Sequence, residues 1–168
     1  MPIGAYAEKQ IMPEDKLVSV PDDVSNEVAS CITLKGITAE YLLHRAYPLK
    51  KGDKVLYHAA AGGLGQILCQ WAYAIGAEVI GTVGSKEKEE IAKKNGCHHV
   101  INYTNKNFVE EVEKIVGKNG IGVVYDGVGA KTFEGSIEVI KIRGMMVAFG
   151  NASGYVDTID VKKHINTK

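Results

Sequence analysis

Neither sign of charge prevails in this sequence. Its 20 lysines and arginines are matched by 20 aspartates and glutamates. A balanced chain has no field to gather nucleic acid or an anionic membrane surface, so neither is expected as a partner. Cysteine is scarce: Cys31, Cys69 and Cys97 stand far apart, with no close pair. An odd, dispersed set argues against a disulfide framework and a structural zinc site, and fits reduced thiols in the cytoplasm. The histidines, His44, His58, His98, His99 and His164, form no ligand spacing with those cysteines. His98 and His99 are adjacent, and on a strand they would point to opposite faces. No segment reads as a membrane span, since the apolar run around Val55 to Gly65 is broken by His58 and three glycines. Met1 to Glu8 has neither a basic region nor an apolar core, so no secretory signal is expected.

What is present reads as a globular domain. Apolar residues make up 45% and charged residues 24% of 168, enough for one domain with a core. From Lys54 onward short apolar runs alternate with helix-period segments. Lys54 to His58, Glu78 to Val83, His99 to Asn102, Gly122 to Tyr125 and Gly144 to Phe149 read as strands. Between them, Gln66 to Ile75, Lys86 to Asn95, a segment from Phe108 to Val116, and Lys131 to Ile140 read as helices. Gly76, Gly96 and Gly117 are the stop signals, and Ser85 is an N-cap. Strands separated by helices predict an α/β fold, a doubly wound parallel Rossmann sheet of about five strands with helices on both faces.

The ends fit this pattern less well. Met1 to Pro21 reads as loop and short strand. Val24 to Tyr47 holds a helical stretch, expected to break or bend near Lys35-Gly36. After Gly150 no final strand is legible, which would leave an unpaired edge. Residues 1–47 are therefore read as a lead-in and packing helix, 48–150 as the dinucleotide-binding domain, and 151–168 as a tail. The expectation is a chain cut at both ends or completed by another polypeptide. The uncovered fifth strand predicts self-association, through the exposed sheet edge or another surface, or limited solubility.

One stretch carries chemistry. Ala59-Ala60-Ala61-Gly62-Gly63-Leu64-Gly65 follows a strand and opens a helix with the spacing A-x-x-G-x-x-G. Amides at a helix N-terminus point outward, and the helix dipole places about half a positive charge there. Glycine admits the tight turn and keeps side chains out of the way of a pyrophosphate. The competing explanation is a small-residue turn that serves packing alone.

Seven segments together resemble one family. They are "GAYAE" at Gly4, "LKGITAEYLL" at Leu34, "HAAAGGLG" at His58, "GTVGS" at Gly81, "VINY" at Val100, "VVYDGVG" at Val123 and "FGNASG" at Phe149. In this order they resemble the zinc-independent quinone oxidoreductases of the medium-chain dehydrogenase/reductase superfamily. The resemblance implies hydride transfer from NADPH to a quinone, in a cleft between a catalytic domain and a Rossmann domain. It covers the Rossmann domain and its lead-in, about half of a typical member.

The residues at the second strand's tip bear on the nucleotide. A ribose-binding acid belongs about 20 residues past the glycine loop. Gly84, Ser85 and Lys86 stand there instead, with Lys88 following and Glu87 already inside the helix. NADPH is therefore favoured over NADH. The lack of that acid also counts against a methyltransferase-like Rossmann domain. By resemblance, Gly84, Lys88 and Tyr103 hold the 2′-phosphate. Thr38 and the loop of Phe149, Gly150, Asn151 and Ser153 line the nicotinamide half. Ala61, Gly62, Gly63 and Leu64 of the glycine loop and Gly129 after the fourth strand complete the expected cofactor set. Lys88 is otherwise a solvated helix lysine, and Tyr103 a half-buried loop aromatic. Asp126 reads either as a general base or as a helix cap and turn closure. No catalytic residue is identified, because the wall facing the nicotinamide is expected from the absent domain. A nucleotide-binding module or inactive remnant without catalysis stays open beside the enzyme reading.

Overall fold

A computed structural model describes residue 4 and residues 6–159. The remainder of the tail read from the sequence lies outside the described residues. The chain divides into two units, Met1–Thr33 and Leu34–Lys168. In the first, the described residues form a single 3-10 turn, Glu14–Lys16, and the start of a helix. Among the described residues the short strand expected before Pro21 is not there. Pro13 and Pro21 lack amide hydrogens for a ladder, and Leu17 and Val18 are exposed.

Helix α1 (Asn26–Glu40) runs unbroken through Lys35-Gly36, so the expected break is absent. An interior glycine costs a helix only about 1 kcal/mol, which burial further along easily offsets. The irregularity comes later, as a π-helical turn over Tyr41–Ala46. The Tyr47 amide donates to the Leu42 carbonyl, and the Leu49 amide to that of Leu43. The wider turn lets two consecutive residues, Leu42 and Leu43, be fully buried together.

The second unit is a five-stranded parallel sheet in the order β3-β2-β1-β4-β5. The strands are β1 (Lys54–His58), β2 (Glu78–Val83), β3 (His99–Asn102), β4 (Ile121–Asp126) and β5 (Ile140–Ala148). The crossover helices are α2 (Gly63–Ile75), α3 (Lys86–Lys94), α4 (Phe108–Val116) and α5 (Phe133–Val139). This is the doubly wound Rossmann architecture that the alternation predicts. Several boundaries differ from the sequence reading: α2 starts at Gly63 rather than Gln66, and β4 is longer by one residue at each end. Helix α5 is shorter than Lys131 to Ile140, and β5 begins at Ile140 rather than Gly144. Arg143 sits at φ 62° and the β4–β5 register shifts between Ile121 and Val123. A strand with such an irregularity has no clean two-residue period to read.

Two apolar cores flank the sheet. Val55, Tyr57, Val79, Val83, Val123 and Tyr125 face one, together with Leu42, Leu43, Leu68 and Ala72. Leu56, Ile80 and Val124 face the other, with Val112 and Val139. Both faces are covered, so the strands read as continuous apolar runs without alternation. Burial decreases toward β5, where Ile142 is 69% and Met145 41% exposed on the outermost strand.

Candidate functional site

The sequence order of the strands reverses at β1, with β2 on one side and β4 on the other. Ligands of open α/β sheets bind beyond the carboxyl ends of the strands at such a switch point. Here the chain leaves β1 through Ala59, which takes a left-handed φ of 61°. The Ala60 amide donates to the Thr82 carbonyl at 3.0 Å, and the Gly62 amide to the Ala59 carbonyl at 2.9 Å. Gly62 then serves as N-cap of α2 and makes no side-chain cap, so the first-turn amides of the helix are not closed off by a capping side chain.

The glycines of this loop meet different constraints. A Cβ on Gly65 would lie 2.5 Å from the Ala60 carbonyl oxygen and 2.7 Å from that of Ala59. This glycine lets the helix pack directly on the loop. A Cβ on Gly63 would meet only the Lys35 side chain, with Cε at 2.6 Å and Nζ at 3.5 Å. Sequence reasoning did not place that lysine there. It lies in α1, 28 positions back along the chain, and only folding brings it across the turn.

Beside the loop is a cleft of about 120 Å³ lined by Ala59, Ala61, Gly62, Val83, Gly84, Lys88 and Tyr103. The structure thus brings Ala61, Gly62, Gly84, Lys88 and Tyr103 of the expected set together. Gly84 explains the tip of β2: a Cβ there would lie 2.8 Å from the Tyr103 hydroxyl. The Tyr103 amide is tied to the Val83 carbonyl at 3.1 Å. Ser85 caps α3 as expected, accepting from the Lys88 amide at 3.4 Å. Its hydroxyl, with the Glu87 backbone, holds the Glu87 carboxyl below its ordinary range. Glu87 is not among the residues lining the cleft, whereas Lys88 is.

The remaining expected residues stand elsewhere. Gly63 and Leu64 belong to the first turn of α2, with Leu64 packed on the core. The Thr38 hydroxyl donates back to the Leu34 carbonyl of its own helix at 2.7 Å. After β4 and β5, two loops lock against each other. The Ser153 hydroxyl donates to the Val128 carbonyl at 2.8 Å and accepts from the Lys131 amide at 3.0 Å. A Cβ on Gly129 would lie 2.6 Å from the Gly154 carbonyl, and one on Gly150 2.7 Å from the Gly127 carbonyl. Asn151 accepts the Gly154 amide through its carbonyl, and the Phe149 ring lies over Gly127 and stacks on Tyr57 at 6.2 Å.

Of the two readings of Asp126, the structure favours turn closure; the N-cap of α5 is Thr132. Its Oδ1 accepts from the Val128 and Gly129 amides at 2.7 and 3.0 Å, and its Oδ2 from the Thr132 hydroxyl at 2.7 Å. It is fully buried. Close by lies a group that the sequence reading missed, His58, only 1% exposed at the end of β1. Burial pushes its imidazole down to about 4, with the Asp126 carboxylate opposing. The signal was present: His58, Thr82 and Asp126 are polar residues near the ends of otherwise apolar strands. Cys69 and Cys97 are buried thiols, and their mutual hydrogen bond and burial push the Cys69 thiol well up. His98 accepts the Val79 amide at 3.0 Å, while His99 pairs with Glu78 at 3.3 Å. The described residues hold no group of three or more His, Cys, Asp or Glu able to bind a metal.

Comparison with known proteins agrees with this architecture. A family model described as zinc-binding dehydrogenase matches residues 63–168. A 2-haloacrylate reductase of Burkholderia sp is 46% identical over 99% of this chain and 51% of its own length. Quinone oxidoreductase 1 of Escherichia coli (strain K12) is 44% identical over 95% of this chain and 49% of its own. A crystal structure of Escherichia coli quinone oxidoreductase complexed with NADPH superposes with a TM-score of 0.85 at 45% identity, over 89% of this chain and 46% of that one. The chain thus spans about half the length of the curated relatives it matches. With its order of strands, its glycine turn and this likeness, the chain belongs to the zinc-binding dehydrogenase family of the medium-chain dehydrogenase/reductase superfamily.

Proposed function

We propose that this chain is the NADPH-binding part of a quinone oxidoreductase that works without zinc. The observation that carries the reading is the cleft of Ala59, Ala61, Gly62, Val83, Gly84, Lys88 and Tyr103 beside the bare first turn of α2. The residues fit a phosphorylated dinucleotide. Main chain without Cβ at Gly62 and Gly63 admits a diphosphate to the helix amides. Lys88 and the Tyr103 hydroxyl supply a cation and a donor for a 2′-phosphate, and no carboxylate lines the cleft to repel it. Gly63 and Leu64 belong to the same turn. Thr38, Gly129 and the Phe149, Gly150, Asn151 and Ser153 loop form the nicotinamide side of the reading. There the two locked loops act as a rigid floor.

Bound in the cleft, NADPH would supply a hydride, which with one proton from water converts a quinone to its hydroquinone and leaves NADP⁺. The chain's own residues bind and orient; none is assigned a covalent or proton-transfer role. The Burkholderia relative is named for a haloacrylate, which like a quinone is an electron-poor conjugated acceptor. Residues 1–47 serve as lead-in, 48–150 as the nucleotide domain and 151–168 as tail. The dispersed cysteines, without a close pair, favour a cytoplasmic protein on this reading, and the exposed β5 edge offers a surface for self-association. Among the described residues no helix is long and apolar enough to cross a membrane.

The test is NADPH oxidation by this chain with a benzoquinone or 2-chloroacrylate as acceptor, beside NADPH binding alone. Binding without turnover is expected of the NADPH-binding part and leaves a nucleotide-binding module open beside it. Turnover that saturates in both substrates would overturn the expectation that the wall facing the nicotinamide comes from another part of the enzyme. No binding refutes the reading.

A further inference from the structure

We propose that His58 is a positioning residue whose imidazole, through Thr82, Ser136 and Asp126, fixes the spacing between the two halves of the nucleotide site. The inference rests on the nucleotide reading above and assigns a device within that site. The three strand-end groups share one face. His58 pairs in register with Thr82, and Tyr57 with Tyr125, which places His58 and Asp126 at matching ends of β1 and β4. Leu56, Ile80 and Val124, two residues before each, belong to the same apolar core. A polar belt therefore lies beneath the carboxyl ends of the central strands.

The direction of its hydrogen bonds follows from what each atom can do. The Ser136 hydroxyl lies 2.7 Å from the Thr132 carbonyl, which only accepts, and 3.3 Å from Asp126 Oδ2. Its proton goes to one of these acceptors. Ser136 Oγ is then free to accept from His58 Nε2–H at 2.9 Å. Nδ1 is left as the acceptor, and the Thr82 hydroxyl donates to it at 2.8 Å. The neutral ring thus has a single tautomer, protonated at Nε2. Among the described residues no buried side-chain nitrogen or oxygen lacks a partner. The Phe108 ring packs nearly perpendicular to the imidazole, with centroids 5.0 Å apart.

Both ends of the belt lead into the site. Thr82 holds His58 through its hydroxyl and the Ala60 amide through its carbonyl, so it anchors the turn in which Ala59 is left-handed. Val83 and Gly84 follow it and line the cleft. At the other end Asp126 holds the Val128 and Gly129 amides, the start of the loop locked against residues 150–154. Packing alone would be met by apolar side chains at these positions. A fully satisfied buried network instead specifies one geometry.

The experiment compares NADPH, which reaches both halves, with 2′,5′-ADP, which reaches one. It uses the whole chain, His58→Leu and His58→Gln, the last retaining an amide donor for Ser136. We expect His58→Leu to weaken NADPH about tenfold or more while 2′,5′-ADP weakens less than about threefold, with His58→Gln recovering part of the loss. ¹⁵N spectra of wild-type His58 should show the Nε2–H tautomer near neutral pH. If His58→Leu does not fold, His58→Gln carries the same comparison. Equal weakening of both ligands, as lost folding alone would give, overturns the proposal, as does the Nδ1–H tautomer. Wild-type protein that binds neither ligand overturns the nucleotide reading instead, and this inference falls with it.

Discussion

The turn after β1 and the paired loops after β4 and β5 are both rich in glycine, for opposite reasons. At the turn, a Cβ on Gly63 would meet the flexible end of Lys35, and one on Gly62 would stand 3.1 Å from the turn's own Ala59 carbonyl. Among the described residues no facing loop packs on these two, and Gly62 lines the cleft. In the paired loops, Gly127, Gly129 and Gly150 are filled by the Phe149 ring and by backbone of the facing loop. Their side chains are missing because the protein itself occupies the space. Gly65 shows that one segment can hold both kinds, since its Cβ would strike the Ala59 and Ala60 carbonyls. Glycine content alone therefore does not mark a ligand; what faces the absent Cβ does.

The largest effect that tests this contrast is expected from Gly129→Ala. Its φ of 89° and the Gly154 oxygen at 2.6 Å make both the backbone and the space wrong for a side chain. Left-handed strain and overpacking together should cost about 2–4 kcal/mol in a denaturant melt. In the protein still folded, NADPH should weaken as well, since Gly129 stands on the nicotinamide side, while 2′,5′-ADP should change less than about threefold. Unaltered stability with lost binding would reverse the assignment of these loops.

Next comes pH. His58 has a folded value of about 4 against an ordinary 6.5. Above pH 6.5 it is neutral in both states and contributes no slope. Between about 6.5 and 4 the unfolded chain takes up a proton that the folded one refuses, so stability falls as pH falls. The span corresponds to roughly 3 kcal/mol. His58→Gln should flatten this segment of the stability curve. A slope unchanged in the variant would show that other groups cause it.

Lys88→Ala sharpens the contrast from the open side. It should leave the melt unchanged and weaken NADPH about 10- to 100-fold, the scale of a charge-assisted contact, with NADH barely affected. Equal losses for both nucleotides would remove the 2′-phosphate from its role. The smallest effect is expected from Ala59→Gly. Relief of a left-handed alanine, about 1–2 kcal/mol, is largely offset by the extra freedom of glycine when unfolded. The melting temperature should stay level or rise slightly.

Much of this was legible in the sequence, for a physical reason. Strands buried on both faces appear as unbroken apolar runs, and Gly76, Gly96 and Gly117 stop the helices between them, so β1 to β4 and α2 to α4 could be read closely. Gly76 indeed closes α2 at φ 91°. Strand β5 could not, because its outward residues are exposed and Arg143 interrupts its period. The break expected at Lys35-Gly36 failed because an interior glycine costs a helix only about 1 kcal/mol, and the helix deforms further on. In the site, the glycine turn follows from local spacing, whereas the Gly84, Lys88 and Tyr103 group is implied by the family resemblance. The His58 belt does not follow from spacing, since it joins residues 24 and 78 positions apart. Likewise Lys35 reaches Gly63 only through the fold.

The central claim is that open main chain beside Gly84, Lys88 and Tyr103 holds a dinucleotide by its 2′-phosphate. Calorimetric titration of the wild-type chain with NADPH and with NADH, in one buffer at low salt, tests it most directly. The account predicts saturable binding of NADPH at least about tenfold tighter than NADH, the worth of one charge-assisted phosphate contact. Equal or tighter binding of NADH, or no heat from either nucleotide, would contradict it.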